Sequence, residues 1–426
     1  MSMEREPLAW RALAFLVACL GFGLPAWAQD DPFEISYYPF VDYEASRIEF
    51  PGDSARFMGF YQLLDSLFLL GQGQAHIVHM GGSHVQADLL TGQLRERLQT
   101  LAPGLTGGRG FVFPFSVAST NNPVNFAARH TGTWTFAKNV QIHPATPLGL
   151  SGIALRTSSP LSTIGILLDR RNHLDYPITR VKVFHQMDSL GFQVVLRSGS
   201  QTHYPARVDS LMGYSLFEFD QPIDTLDMAL AKQSPEACRF TLFGFSLEND
   251  EPGFYYHAIG VNGASTSSFL KCEHLGANLR GLGGDLVVIG LGTNDAYSNN
   301  FVPEVFRANY DSLLRDIRAA LPQAAILLTV PNDSYLYRRH ANPNTKEVAT
   351  VIYDLAKEHG CGVWNFYRVM GGYNSISAWQ RAELAQADKI HLTKPGYVLM
   401  ANLLFNAFLR SYGDYLAKRP RAAGGH

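Results

Sequence analysis

The sequence predicts an α/β fold, a doubly wound parallel sheet interrupted by an inserted all-β sandwich or jelly roll. Three observations carry this. Short apolar strands alternate with amphipathic helices near the start of the chain and again through its second half. The segment Asp285–Leu291 is a continuous apolar run, as when helices cover both faces of a sheet. Between Val124 and Pro252 helical spacing disappears, and short β-branched or aromatic runs bounded by turn residues replace it.

Taken in order, residues 1–28 read as an export signal. Arg5 and Arg11 supply the positive end, Ala12–Leu24 the apolar stretch, and Ala26-Trp27-Ala28 an A-x-A cleavage site. Leu16-Val17-Ala18-Cys19 also resembles a lipoprotein processing box, so a lipid anchor at Cys19 is the minor alternative to a free periplasmic or extracellular protein. Asp30–Pro51 is aromatic and irregular, an arm lying on the domain. Phe57–Leu70 has helical spacing and stops at Gly71-Gln72-Gly73. A buried strand, Ala75–Met80, then runs into Gly81-Gly82-Ser83, and Ala87–Leu101 reads as one amphipathic helix.

Within 124–252 the segments Thr133–Phe136, Ile153–Arg156, Thr163–Leu168, Thr179–His185, Gln193–Arg197 and Phe240–Leu247 read as strands. The α/β alternation resumes with strands at Tyr255–Val261, Asp285–Leu291, Ala325–Val330 and Gly362–Phe366. Helices are expected at Ser267–Leu282, Val302–Leu321, Asn344–His359 and Pro395–Tyr412. The expected units are therefore 29–123 and 253–418 as two parts of one α/β domain, 124–252 as the insert, and 419–426 as a disordered tail.

Composition narrows the function. Hydrophobic residues at 46% and charged residues at 17% suit a globular chain with ample core. A net charge of −2 and no Lys/Arg-rich run argue against a nucleic-acid partner, and beyond Leu24 no stretch is apolar enough for a membrane span. Cys238, Cys272 and Cys361 make no disulfide scaffold and have no metal-ligand spacing. His76 and His79 sit within a strand at spacings that suit packing and hydrogen bonding.

The chemistry concentrates in short motifs. Ser83 lies where a strand breaks into a helix. The glycines before it allow a sharp turn, and the turn lacks the spacing of either nucleotide fingerprint. Asp388 and His391 are three apart just before the last helix, so one loop can present an imidazole with a carboxylate holding its tautomer. Asn294 follows the apolar strand through Gly292-Thr293, where a side-chain amide can donate to a developing oxyanion. In the turn Val261-Asn262-Gly263-Ala264 either a backbone N–H or Asn262 can complete such a hole. Arg109, Asn121 and Asn122 are weighed as sugar contacts and read rather as loop residues.

In this order the motifs resemble the SGNH, or GDSL-type, hydrolase family. Ser83 matches its first block, Gly263 its second, Asn294 in Gly-x-Asn-Asp its third, and Asp388-x-x-His391 its fifth. One departure is Gly82, which stands where the first block usually has Asp. The resemblance implies a flavodoxin-like sheet, Ser83, His391 and Asp388 as a triad, Gly263 and Asn294 as oxyanion hole, and no metal or organic cofactor. The β insert after the first block is similar to that of bacterial peptidoglycan O-acetylesterases, where it resembles a carbohydrate-binding module. Gly-Gly-Ser-His-Val-Gln with Phe113-Pro114-Phe115 also resembles GDSL-like proteins of Bacteroidetes-type bacteria. The expected function is an exported serine esterase that removes acetyl or another short acyl group from a cell-envelope polysaccharide. The alternatives are a lipase, thioesterase or acetyltransferase of the same fold, or a silent glycan-binding protein.

Overall fold

The computed structural model describes residues 35–169, 174–199 and 201–419. The expected signal segment with Cys19, and most of the expected tail, lie outside these residues. Arg419 is the described part of that tail, and its guanidinium pairs with Asp65 at 2.8 Å.

Gln74–Gly81, Gly253–Gly260, Leu286–Gly290, Ala325–Val330 and Gly362–Asn365 form a parallel sheet. In space the second of these strands lies beside the first, which is followed by the third, fourth and fifth, a flavodoxin-like order. A short sixth strand, Ile48–Glu49, joins antiparallel to Gly362–Asn365, so part of the aromatic arm is sheet.

The apolar strands are explained by burial on both sides. Ala75, Ile77, Leu286, Val288, Ala325 and Leu327 face one apolar cluster, where the helices Ala55–Leu70, Leu89–Gln99 and Lys394–Lys418 pack. Their neighbours Val78, Met80, Val287, Ile289, Ile326 and Leu328 face another, with Leu275–Leu282, Pro303–Ala320 and Asn344–His359. Alternation along a strand thus feeds two cores, and each fully buried Leu, Ile or Val contributes about 1.5–3 kcal/mol.

The second core continues into the β-rich part, whose Phe184, Phe217 and Phe243 belong to the same cluster. That part holds a five-stranded sheet and a seven-stranded one. Thr163–Leu168 runs as the sequence predicts, while Phe126–Thr131, Tyr214–Ile223 and Thr225–Ala231 are further strands that the sequence reading passed over. Gly110–Val112, ahead of position 124, pairs with Phe240–Glu248 and stitches the first α/β segment to the β-rich part.

Of the expected helices one is shortened and one is broken. Ala87–Leu101 is observed as Leu89–Gln99, preceded by a separate short turn of helix, Ser83–Gln86, with Asp88 at φ +52° between them. Ser267–Leu282 is split into Thr266–Phe269 and Leu275–Leu282. The last helix runs on to Lys418, because Tyr412 and Tyr415 both donate to Asp65, at 2.8 and 2.9 Å.

Candidate active site

All the singled-out motifs sit beyond the carboxyl ends of the parallel strands. The strand Gln74–Gly81 passes through Gly82 into Ser83, the first residue of a short helix. Close approach demands both glycines. A Cβ at Gly81 would lie 2.6 Å from Val85 Cγ2, and one at Gly82 would lie 3.1 Å from Asn294 Nδ2.

The turn Asp388–His391 is closed by the Asp388 side chain. Its Oδ1 accepts the N–H groups of Ile390 and His391 at 2.9 and 3.0 Å, and Lys389 takes φ +54° to allow it. Oδ2 is left facing His391 Nδ1 at 2.7 Å. Because a carboxylate only accepts, Nδ1 carries the proton, and Nε2 presents its lone pair to Ser83 Oγ at 2.8 Å. Burial pushes the Asp388 carboxyl up, but the hydrogen bonds from the His391 ring and from the two N–H groups outweigh it and hold it below its ordinary range. A carboxylate kept ionised beside an imidazole can stabilise that ring when it takes up a proton.

Asn294 is exposed at the end of its strand, and one hydrogen of its amide is held by Ala264 O at 2.9 Å. The same Nδ2 lies 3.1 Å from where a Cβ on Gly82, the residue before Ser83, would sit. Gly263 lies at φ +81°, and its N–H has no partner among the described residues. Asn262 is committed elsewhere: its N–H donates to Gln86 Oε1 at 2.7 Å and its amide to Asn121 Oδ1 at 2.6 Å. The open choice in that turn therefore falls on the Gly263 backbone. Asp295 accepts from Thr266 N and Oγ1, tying the Asn294 turn to the earlier short helix Thr266–Phe269, and burial raises its pKa.

The weighed sugar contacts have structural partners. Asn121 accepts from Gln86 and Asn262, and Asn122 donates to Phe126 O at 2.7 Å. Arg109 is 3% exposed and pairs with Asp88 at 3.2 Å. His76 Nδ1 meets His257 Nε2 at 3.1 Å and His79 Nδ1 meets Tyr256 OH at 2.8 Å, so both rings are held within the protein.

Two residues of the site escaped sequence reasoning. Gln86, 2% exposed, donates to Thr120 and Asn121 while accepting from Asn262, so it clamps the 120–121 loop to the Gly263 turn. Its spacing, three after Ser83 on one turn of helix, was the available signal. His84 stands with its ring centroid 5.4 Å from that of His391, and its Nδ1 meets Tyr397 OH at 2.7 Å. Burial, with a smaller push from His391, lowers its pKa to about 3, so a neutral ring lies beside His391. No local pattern announces that contact, since Tyr397 is far along the chain.

Residues 242–399 match the model of the GDSL-like Lipase/Acylhydrolase family, a span that holds Gly263, Asn294, Asp388 and His391, with Ser83 ahead of it. A solved peptidoglycan O-acetylesterase superposes with a TM-score of 0.70 over 86% of this chain and 99% of that one, at 23% identity, a likeness of fold. A lipase/acylhydrolase from Enterococcus faecalis covers 38% of this chain and 77% of its own, at 24% identity and TM-score 0.29. A family two carbohydrate esterase from Cellvibrio japonicus covers 68% and 99%, at 12% identity and TM-score 0.29. No curated protein resembles the chain closely enough to count as a match. The match to the GDSL-like Lipase/Acylhydrolase family is thus confined to residues 242–399, and the chain is a carboxylic ester hydrolase.

Proposed function

We propose that the protein is an exported serine esterase that removes acetyl or another short acyl group from a cell-envelope polysaccharide, with Ser83, His391 and Asp388 as its triad. The observation that carries the reading is the unbroken chain of contacts from Ser83 Oγ to His391 Nε2 at 2.8 Å and from His391 Nδ1 to Asp388 Oδ2 at 2.7 Å. Ser83 Oγ attacks the ester carbonyl as its proton passes to His391 Nε2. The carbonyl oxygen becomes an oxyanion held by the N–H groups of Gly263 and Ser83 and by Asn294 Nδ2. Collapse breaks the bond to the sugar oxygen, which leaves with the proton from His391. Water then attacks the acyl-Ser83 ester, giving up its proton to His391; as the bond to Oγ breaks, His391 passes that proton to Ser83 Oγ, and the acid is released. Asp388 orients the ring throughout and stabilises its charged form.

The polysaccharide substrate is favoured by the fold shared with the peptidoglycan O-acetylesterase along nearly the whole chain. In this reading residues 124–252 are an inserted, carbohydrate-binding-like unit that holds polymer beside the site, so that remote binding favours the reacting geometry. The test is acetate release from O-acetylated peptidoglycan and from acetylated xylan, by the wild type and Ser83→Ala. The expected result is release from peptidoglycan that the variant loses by about a millionfold in kcat. Undiminished release by the variant would remove Ser83 from the mechanism, and release from xylan alone would remove the envelope polymer.

A further inference from the structure

A small hairpin joins the two halves of the site. Tyr335–Leu336 pairs with His340–Ala341, and the Tyr335 N–H donates to Lys389 O, inside the Asp388–His391 turn, at 2.9 Å. Lys389 Nζ lies 4.1 Å from the Tyr335 ring centroid. On its other side the hairpin meets the Asn294 turn, where the Tyr337 N–H donates to Tyr297 OH at 3.0 Å and the two rings lie 5.4 Å apart.

The tip is strained. The Arg339 N–H bonds Leu336 O at 2.9 Å, and both residues between, Tyr337 and Arg338, take positive φ, +53° and +61°. A turn of that kind normally carries Asn-Gly, because a Cβ is disfavoured at both positions. Here it carries two large side chains, and strain of this sort persists at recognition and catalytic sites where the surroundings enforce it.

What the tip presents is aromatic and basic. Tyr337 is 49% exposed, and Arg338, Arg339 and His340 are exposed beside it. Neither Arg338 nor Arg339 has an acidic partner among the described residues. Tyr373, 61% exposed, adjoins Asn374, which accepts from Tyr335 OH at 2.8 Å. Open tyrosine faces fit the apolar faces of sugar rings, and unpaired guanidinium groups fit carboxylates in paired geometry.

We propose that the Tyr335–Ala341 hairpin is a glycan-recognition wall selecting an anionic polysaccharide, with Tyr337 stacking on a sugar ring and Arg338 and Arg339 pairing with carboxylates. This deepens the esterase reading and rests on it for its biological use. The test is native affinity electrophoresis of the full chain in gels containing polygalacturonate or neutral xylan. Three proteins are compared: wild type, Arg338→Ala/Arg339→Ala, and the control Lys357→Ala/Lys418→Ala, which removes the same charge elsewhere on the surface.

The expected result is retardation of wild type and control by polygalacturonate, falling with added salt, and a Kd about tenfold weaker in the hairpin variant. Tyr337→Ala should weaken retardation in both gels. Equal retardation of the hairpin variant and wild type, or wild-type retardation no stronger in polygalacturonate than in xylan, overturns the proposal. Turnover of p-nitrophenyl acetate by the wild type is read separately. Its absence counts against the esterase reading and leaves the electrophoresis to decide the hairpin.

Discussion

At Gly82 the chain has no side chain where the first block of this type of hydrolase usually has Asp, and the geometry gives a reason. A Cβ there meets Asn294 Nδ2 at 3.1 Å, tighter than ordinary contact, so any larger residue displaces the amide by a few tenths of an ångström. The departure therefore suits the placement of Asn294. Gly82→Ala is expected to lower kcat by about tenfold, since even small misplacement of a donor to developing charge is costly. KM and the melting temperature should stay near the wild-type values, with ester kinetics and a thermal melt as the measurements. The candidate residues drew notice in the sequence because Ser83 and Asn294 follow strands through glycine, and Asp388 and His391 share one Asp-x-x-His turn before the last helix. His84 and Gln86 did not, because their roles arise from contacts with Tyr397 and Asn262 made only on folding.

Among the elements, the helix expected at Ala87–Leu101 is found as Leu89–Gln99, and a buried charge rather than periodicity sets where it starts. Asp88 leaves helical space to gather Thr91, Arg95, Arg109 and Asn125 around its carboxylate. Burial pushes that carboxyl up, but Arg95 and Arg109 overcome it and bring it down to about 2. Satisfying a buried charge outweighs two residues of helix. Asp88→Ala leaves two buried guanidinium groups unpaired, and a loss of about 3–5 kcal/mol is expected in urea unfolding. A loss below about 1 kcal/mol would mean that water or other groups satisfy them. The parallel strands, by contrast, were legible to within a residue or two, because burial on both faces leaves them apolar throughout. The strands Gln201–His203 and Arg207–Asp209 are largely exposed and carry no such signal.

Over the whole molecule, buried histidines set the response to acid. Burial lowers His76 and His185 to about 4, and His79 and His84 to about 3. In the unfolded chain these rings take up protons below about pH 6.5, whereas in the folded protein they stay neutral until pH 3–4. The unfolded state thus binds more protons across that window, and stability present above it is lost as pH falls. Asp333, Asp285 and Asp295 oppose this: burial raises all three carboxyls, Asp333 to about 6, so the folded state holds protons there that the unfolded state lacks. The four histidines outnumber them. The melting temperature is expected to fall by more than about 5 °C between pH 7 and pH 4.5, with His185→Gln losing part of that slope. A melting temperature that holds or rises over this range would contradict the neutral, buried assignment. At this scale the α/β layout was legible in advance. The continuity of the core into the β-rich part was not, because a strand pattern records which residues are apolar and not which other element they meet.

The most direct test of the central claim is to react the protein with a fluorophosphonate and map the adduct by peptide mass spectrometry. One adduct is expected, on Ser83, forming far more slowly in His391→Ala. An adduct on another residue, or ester hydrolysis by a protein that takes no label at Ser83, would contradict it.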